Sequence, residues 1–144
     1  MNNGEGLKLL LNEILTTVAR ANNHPELRPY ANSISEKIKL SEKVLTSLMP
    51  HALKGDFEKY LADASVFMEF FSLIIVAWNW LEVATNSQEA LNKGDKKYSN
   101  IFYNSKIETM KYFFDYELPK TISHSEILMN PSSVTIKKGE EILI

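Results

Sequence analysis

Three histidines and 18 acidic residues are the side chains of this 144-residue chain best suited to metal or acid–base chemistry. A di-iron centre in a helical bundle needs inward glutamates and Glu-x-x-His pairs, because that spacing brings both side chains to one ion. No Glu-x-x-His occurs, and His24, His51 and His124 lie beside proline or serine near predicted loops or helix ends. We therefore predict solvated or capping histidines and no metal site.

Glu69 is the carboxylate most suggestive of catalysis, because it interrupts the most apolar run of the chain. A buried carboxyl group has a raised pKa, which suits a catalytic base. The favoured alternative is that Glu69 lies on a wetter side of its helix or pairs with Lys106, whose stem is expected to cover core aromatics. Asn79, between Trp78 and Trp80, is a candidate for a hydrogen bond across helices.

Motifs of nucleophilic and nucleotide chemistry do not occur in the sequence. There is no Gly-x-Ser-x-Gly, Gly-x-Gly-x-x-Gly or phosphate-binding loop, and the five glycines are scattered. We attribute the adjacency of His124, Ser125 and Glu126 to chance. The lack of cysteine excludes disulfides, zinc-thiolate sites, iron–sulfur clusters and thiol catalysis. No catalytic, cofactor-binding or metal-binding residue is predicted.

Composition and charge narrow the classes of partner. The formal net charge is −2, which gives no electrostatic footprint for nucleic acid, and there is no polybasic segment for anionic lipid. A hydrophobic content of 44% and a charged content of 24% are ordinary for a globular protein. With no cysteine and no basic segment before the first apolar run, we expect a cytoplasmic protein.

Few helix breakers and long apolar-periodic segments predict an all-α fold. We expect one domain over residues 1–144, an antiparallel four-helix bundle with a short extended C-terminal tail. Asp56 is the predicted N-cap of the third helix, Gly94 its C′ residue and Pro119 the stop of the fourth. After Pro119 we expect a short helical turn, then a tail that forms a hairpin or lies extended on the bundle. The first, third and fourth helices are predicted over about residues 6–20, 57–92 and 97–118. The second is predicted from Pro29, with its end bounded by Pro50 and Gly55.

Each predicted helix carries apolar residues at spacings of three and four, which define its expected core stripe. In the first helix these are Leu7, Leu10, Leu11, Ile14, Leu15 and Val18. In the second they are Ile34, Ile38, Ser41, Leu45 and Leu48, with Val44 and Met49 beside them. In the third they are Phe57, Leu61, Ala64, Met68, Phe71, Ile75, Trp78 and Leu81. In the fourth, two adjacent faces are candidates: one with Phe102, Lys106, Met110, Phe113 and Glu117, and beside it one with Tyr103, Ile107, Met110 and Phe114.

The apolar run from Phe67 to Ala84 raises the question of a membrane span. A transmembrane helix needs roughly 20 mostly apolar residues in a row. Only 12 residues separate Glu69 from Glu82, and a charged group near mid-span costs about 2.5–3.5 kcal/mol. We therefore predict no membrane span. Because the run is apolar nearly all round, its helix is expected at the centre of the bundle, or against a partner as well as its own core.

A series of short motifs over residues 30–144 gives the chain a family resemblance. It resembles the C-terminal domain of one branch of the acyl-CoA dehydrogenase family, which includes 3-methylmercaptopropionyl-CoA dehydrogenase-like enzymes. The motifs that carry the resemblance are Asp56, Leu61-Ala62-x-Ala64, Phe70-Phe71, Ala77-Trp78-Asn79-Trp80-Leu81, Ala84, Ala90, Phe102, Lys106, Phe113-Phe114, Leu118-Pro119 and the segment SVTIKKGEEILI.

The resemblance implies an all-α bundle that follows an FAD-containing dehydrogenase body. FAD and the carboxylate base of that family belong to the preceding domains, so FAD is expected only in a full-length parent enzyme and no catalytic residue is carried over. Association with a dehydrogenase body or self-association is then the expected role, as a domain, a split subunit or a remnant. The alternative is a free-standing bundle that binds an apolar acyl-type ligand between the third and fourth helices. For either role, the predicted pocket or interface residues are Phe67, Phe71, Trp78, Phe102, Lys106, Met110 and Phe113.

Overall fold

The computed structural model describes the backbone of residues 5–53 and 63–130, and the side chains of those residues except 50–53. All regular structure in these ranges is helical, so the predicted all-α bundle is confirmed. The expected extended tail and the predicted cap Asp56 lie outside the described residues. The elements are α1 (Glu5–Asn22), a 3-10 turn (Pro25–Leu27), α2 (Arg28–Leu53), α3 (Ala64–Lys93), α4 (Asn100–Tyr116) and α5 (Lys120–Met129).

The predicted helix boundaries fare differently. The second helix ends at Leu53, between Pro50 and Gly55 as predicted, because proline removes one backbone hydrogen bond without necessarily ending a helix. The start predicted near Phe57 lies outside the described residues, which show α3 from Ala64 onward. The fourth helix begins at Asn100 rather than at residue 97. Ser99 is its N-cap, and the Ser99 hydroxyl accepts a hydrogen bond of 3.1 Å from the backbone N–H of Phe102. Short polar side chains therefore set this helix start.

The C-terminal end of α3 agrees with the prediction. Gly94 adopts a left-handed conformation with φ of 70°. Its N–H donates to the carbonyl of Leu91 at 3.1 Å, and the N–H of Asp95 donates to the carbonyl of Ala90 at 2.9 Å. These two bonds form a Schellman motif, in which a residue with positive φ lets the chain turn back and satisfy the last helix carbonyls.

The centre of the bundle is α3, which contacts each of the other four α-helices. Leu81 is buried as predicted, but the rest of the buried line is offset from the predicted stripe, and Met68 is exposed rather than buried. The predicted members Phe71, Ile75 and Trp78 are only half-buried. The fully buried apolar residues of α3 are Phe70, Ile74, Ala77, Leu81 and Ala84.

In α4 the second of the two candidate faces forms the core. Tyr103, Ile107, Met110 and Phe114 are buried, and the ring of Phe114 meets that of Tyr30 edge to face at 5.3 Å. On the adjacent face only Met110, which belongs to both faces, is buried, and the other members are half-buried or exposed.

The remaining stripes are partly right. Leu7 and Leu15 of α1 are exposed, whereas Ile14 and Val18 are buried. In α2 the stripe residues Ile34, Ile38, Ser41 and Leu48 are buried as predicted. Leu45 is only half-buried, and its neighbour Val44 is buried. The expected helical turn after Pro119 is the ten-residue α5, which packs on α2 and α3. Its buried residues are Thr121, Ser125 and Leu128.

Candidate functional site

The predicted pocket residues on α3 point to different neighbours. Phe67 and Phe71 stack with ring centroids 6.0 Å apart, and Phe67 lines an apolar groove of about 350 Å³ together with Leu45 and Leu48 of α2. Trp78 reaches α1, as described below. These three aromatics therefore do not face α4, where the predicted acyl pocket was expected.

The predicted pocket residues on α4 are divided as well. Met110 is fully buried in the core. Phe113 borders a groove between α3, α4 and α5. Phe102 and Lys106 border a second groove near the end of α3, where the Lys106 ammonium lies 4.9 Å from the centre of the Phe102 ring. The structure thus distributes the predicted lining over several places and does not gather it into one pocket.

Glu69 pairs with a histidine and not with Lys106. Its carboxylate lies 3.2 Å from Nε2 of His124 on α5, and the Glu69 side chain is 69% exposed. The burial on which the catalytic-base interpretation depends is therefore missing. The His124 ring is mostly buried and its Nδ1 has no hydrogen-bond partner among the described residues, so its prediction as a solvated residue is wrong.

A polar network joins α1 to α3. The indole Nε1 of Trp78 donates to the Thr17 hydroxyl at 2.8 Å, and that hydroxyl lies 3.3 Å from Oε1 of Glu82. Nη1 of Arg20 contacts the same Glu82 oxygen at 3.2 Å. Asn79 takes no part, because its amide donates to the carbonyl of Ile75 in its own helix, which contradicts the expected cross-helix bond.

The network continues along Arg20 to a second carboxylate. Nη2 of Arg20 donates to Glu89 at 2.9 Å and to Asn86 at 2.6 Å, while His24 Nε2 lies 3.4 Å from the other Glu89 oxygen. Burial raises the pKa of Glu89, but the hydrogen bonds and charges of Arg20 and His24 outweigh it and hold that pKa below its ordinary value. We call Thr17, Arg20, His24, Glu82 and Glu89 the α1–α3 polar ladder.

The contacts of the ladder indicate a structural role, the joining of α1 to α3. Its cations and carboxylates are bonded to one another, so none is poised toward an open cavity. Sequence reasoning missed it, although a signal was present. Thr17 and Arg20 lie three residues apart on one face of α1, and His24 follows just after that helix. Glu82, Asn86 and Glu89 recur at spacings of four and three on one face of α3. The pairing of these two faces, 62 to 69 residues apart, needed the fold.

The side of α3 away from the core is exposed and partly apolar. We call this surface the α3 outer strip and define it as Met68, Ser72, Val76, Asn79 and Val83, all exposed. Half-buried Leu73 and Trp80 flank it. By length and composition α3 is apolar enough to cross a membrane, a test that the core helices of soluble proteins also pass, and 22% of its most apolar 18-residue window is buried inside the protein.

Among the described side chains, those of residues 5–49 and 63–130, no group of three acidic or histidine residues could hold a metal ion. The acidic and histidine side chains that do contact one another are those of the polar ladder and the pair of Glu69 and His124. The described surface also includes the partly apolar α3 outer strip.

Comparison with known proteins identifies the family. The model of the family described as acetyl-CoA dehydrogenase C-terminal like matches residues 10–137. The match begins inside α1, earlier than the resemblance that we located from residue 30 onward. Comparisons with curated proteins and with solved structures give no match. Because the match covers most of the chain, this protein belongs to the acetyl-CoA dehydrogenase C-terminal-like family, as an accessory helical domain.

Proposed function

We propose that this protein is a non-catalytic packing domain of the acyl-CoA dehydrogenase type, which associates with a dehydrogenase body or with itself. The observation that carries the proposal is the low burial of α3. Of its most apolar 18-residue window 22% is buried, and the apolar residues Met68, Val76 and Val83 of its outer strip are exposed. Exposed apolar residues that share one face, with polar residues beside them, are typical of an interaction site.

A protein partner explains the α3 outer strip better than a lipid one. Ser72 and Asn79 lie on the strip among its apolar members, and the Glu69 carboxylate lies beside it. Polar and charged side chains are costly in lipid, whereas protein interfaces combine apolar contacts with hydrogen bonds. The proposal therefore places this face against another protein surface, in the cytoplasm.

The catalytic groups of the proposed parent enzyme lie elsewhere. In the branch that this chain resembles, the one with 3-methylmercaptopropionyl-CoA dehydrogenase-like enzymes, FAD and the catalytic carboxylate belong to the preceding domains. Two of the carboxylates with defined geometry are bonded within the polar ladder, Glu82 to Arg20 and Glu89 to Arg20 and His24. This chain's share of the function is then structural.

A flavin absorbance scan of the purified chain, followed by a dye-reduction assay with acyl-CoA, tests the non-catalytic part. We expect no flavin band above background after incubation with FAD, and no acyl-CoA-dependent reduction of the dye. A stoichiometric flavin band, or turnover that scales with the amount of this chain, would contradict the proposal.

The free-standing acyl-binding bundle is the weaker candidate, because its expected lining is divided among several places. Titration of tryptophan fluorescence with an acyl-CoA or a fatty acid separates the two proposals. Trp78 and Trp80 lie on either side of Asn79 in α3, so both report on that helix. A packing domain predicts no saturable change, whereas a saturable change at micromolar ligand would favour the acyl-binding bundle.

A further inference from the structure

We propose that the α3 outer strip binds a second copy of this chain, with the two α3 helices antiparallel. The inference rests on the proposed function as a packing domain and names the partner. It is drawn from the shape of the strip, its residue spacing and the charges at its two ends.

The strip forms one continuous surface along α3. The groove that contains Glu69, Leu73 and Phe113 shares Val76 with a shallow groove that extends to Val83. Val83 in turn borders the groove of Phe102 and Lys106. At 1.5 Å rise per residue, the distance from Glu69 to Val83 along the helix is about 21 Å, enough for a helix–helix contact of several turns.

The spacing of the strip suits a second helix. Ser72, Val76, Asn79 and Val83 follow one another at intervals of four, three and four residues, which is the seam of a heptad repeat. Val76 and Val83 are 41% and 38% exposed and supply the apolar contacts. A polar Asn within such a seam favours one register over others. Asn79 therefore acts as a register residue between the two valines.

The charges at the two ends select the second copy and its direction. Glu69 provides an exposed carboxylate at one end, where it contacts His124 and lies beside the ion pair of Glu117 and Lys120. Lys106 provides an ammonium at the other end, beside Asp95, with the apolar section between the two ends. A two-fold interface presents the same patch on both partners, so the patch must be complementary to itself. An antiparallel pair reverses the ends and sets each Glu69 opposite the partner's Lys106. The same two-fold operation keeps α4 and α5 of both copies on one side of the contact.

Sedimentation equilibrium of the full chain over a range of concentrations tests the interface. We expect a dimer that dissociates on dilution. The change Val76→Glu places a carboxylate in the seam of each copy, and we expect it to weaken the dimer at least about 100-fold. The matched control is Ile122→Glu, which adds the same charge at an exposed position on the side of α5 away from Lys120 and His124. Ile122→Glu should leave the dimer unchanged.

A charge exchange tests the direction of the two helices. Glu69→Lys alone and Lys106→Glu alone each create two like-charge contacts per dimer, and we expect weakening of roughly five- to thirty-fold. The double variant restores opposite charges at both ends in the antiparallel arrangement and should regain most of the affinity. Helical circular dichroism that matches the unchanged protein shows that each variant is folded.

Three outcomes would overturn the inference. These are a chain that stays monomeric throughout the range, a dimer insensitive to Val76→Glu, and a double charge variant no tighter than the single ones. Sedimentation of a monomeric chain with phosphatidylcholine vesicles would also overturn it, in favour of a lipid contact. These results are independent of the flavin scan, so failure of the dimer and failure of the non-catalytic proposal are told apart.

Discussion

The indole N–H of Trp78 on α3 donates a 2.8 Å hydrogen bond to the hydroxyl of Thr17 on α1. Thr17 is almost completely buried, and its hydroxyl also lies within 3.3 Å of Glu82 and of the carbonyl of Glu13. One hydroxyl thus connects an aromatic donor and the polar ladder across the interface of α1 and α3.

Replacement of Thr17 by valine should lower the free energy of unfolding by about 1–3 kcal/mol. Valine keeps the shape of threonine, but the part-buried Trp78 N–H loses its acceptor, and an unsatisfied buried donor costs about that amount. Urea denaturation followed by circular dichroism measures the change. The control is Thr16→Val, because Thr16 is exposed and bonds only to the carbonyl of Asn12. Equal effects at both positions would show that the Trp78 bond contributes little.

Glu89 should make stability depend on pH in the acid range. Its pKa in the folded protein lies below the ordinary value of 4.5, so the contribution is fully present above pH 4.5 and is lost as the pH falls through the folded pKa. We expect Glu89→Gln to unfold at a lower urea concentration than the unchanged protein at pH 6. The difference in stability between Glu89→Gln and the unchanged protein should shrink progressively as the pH falls below 4.5.

The control for that pH dependence is Glu108→Gln. Glu108 is an exposed residue whose only described ion pair is with Lys111 in its own helix, at 3.5 Å. Its replacement should leave the pH profile of stability nearly unchanged. A difference between the Glu89 variant and the unchanged protein that grows toward low pH would contradict the lowered pKa of Glu89.

The two described glycines should respond to alanine in opposite directions. Gly94→Ala forces a side chain into the left-handed conformation and should destabilise by about 1–2 kcal/mol, although no atom lies within 4 Å of the added carbon. Gly6 lies in α1 with open space around it, so Gly6→Ala should leave stability unchanged or raise it by up to about 1 kcal/mol. Thermal unfolding of both variants compares their stabilities. If Gly6→Ala lowered the stability as much as Gly94→Ala, the result would argue against the Schellman turn.

Neighbouring isoleucines in α3 test the observed rotation of the helix. Ile74 is fully buried and Ile75 half-buried, the reverse of the predicted stripe. Ile74→Ala should cost about 2–5 kcal/mol, because it removes buried methyl groups and leaves a cavity. Ile75→Ala should cost distinctly less. Urea denaturation of the two variants measures both losses of unfolding free energy. A larger loss for Ile75→Ala than for Ile74→Ala would favour the predicted stripe over the observed one.

The helical character of the chain follows from local chemistry, which the sequence displays directly. Apolar residues at spacings of three and four predicted the helices, and Gly94 predicted the end of α3, because only a residue tolerant of positive φ fits a Schellman turn. The start of α4 was misplaced because Ser99 competes with nearby residues as a cap, and that competition depends on backbone geometry.

Which side of α3 is buried was decided only by the tertiary structure. A helix that is apolar nearly all round has a weak periodic signal, so Phe70, Ile74 and Ala77 were no better marked in the sequence than Met68, Phe71 and Ile75. The packing of four other helices around α3 selected the buried line. The same packing left the outer strip exposed and paired Glu69 with His124 instead of Lys106.

The sequence by itself determined the all-α class, the central place of α3 and the family, because apolar periodicity and short ordered motifs are local properties of the chain. The tertiary structure decided the polar ladder, the distribution of the predicted pocket residues and the extent of the exposed face. Those features depend on contacts between residues on different helices, such as Trp78 with Thr17, which are 61 positions apart. No spacing within one helix specifies such contacts, because they are fixed by how one helix rotates against another.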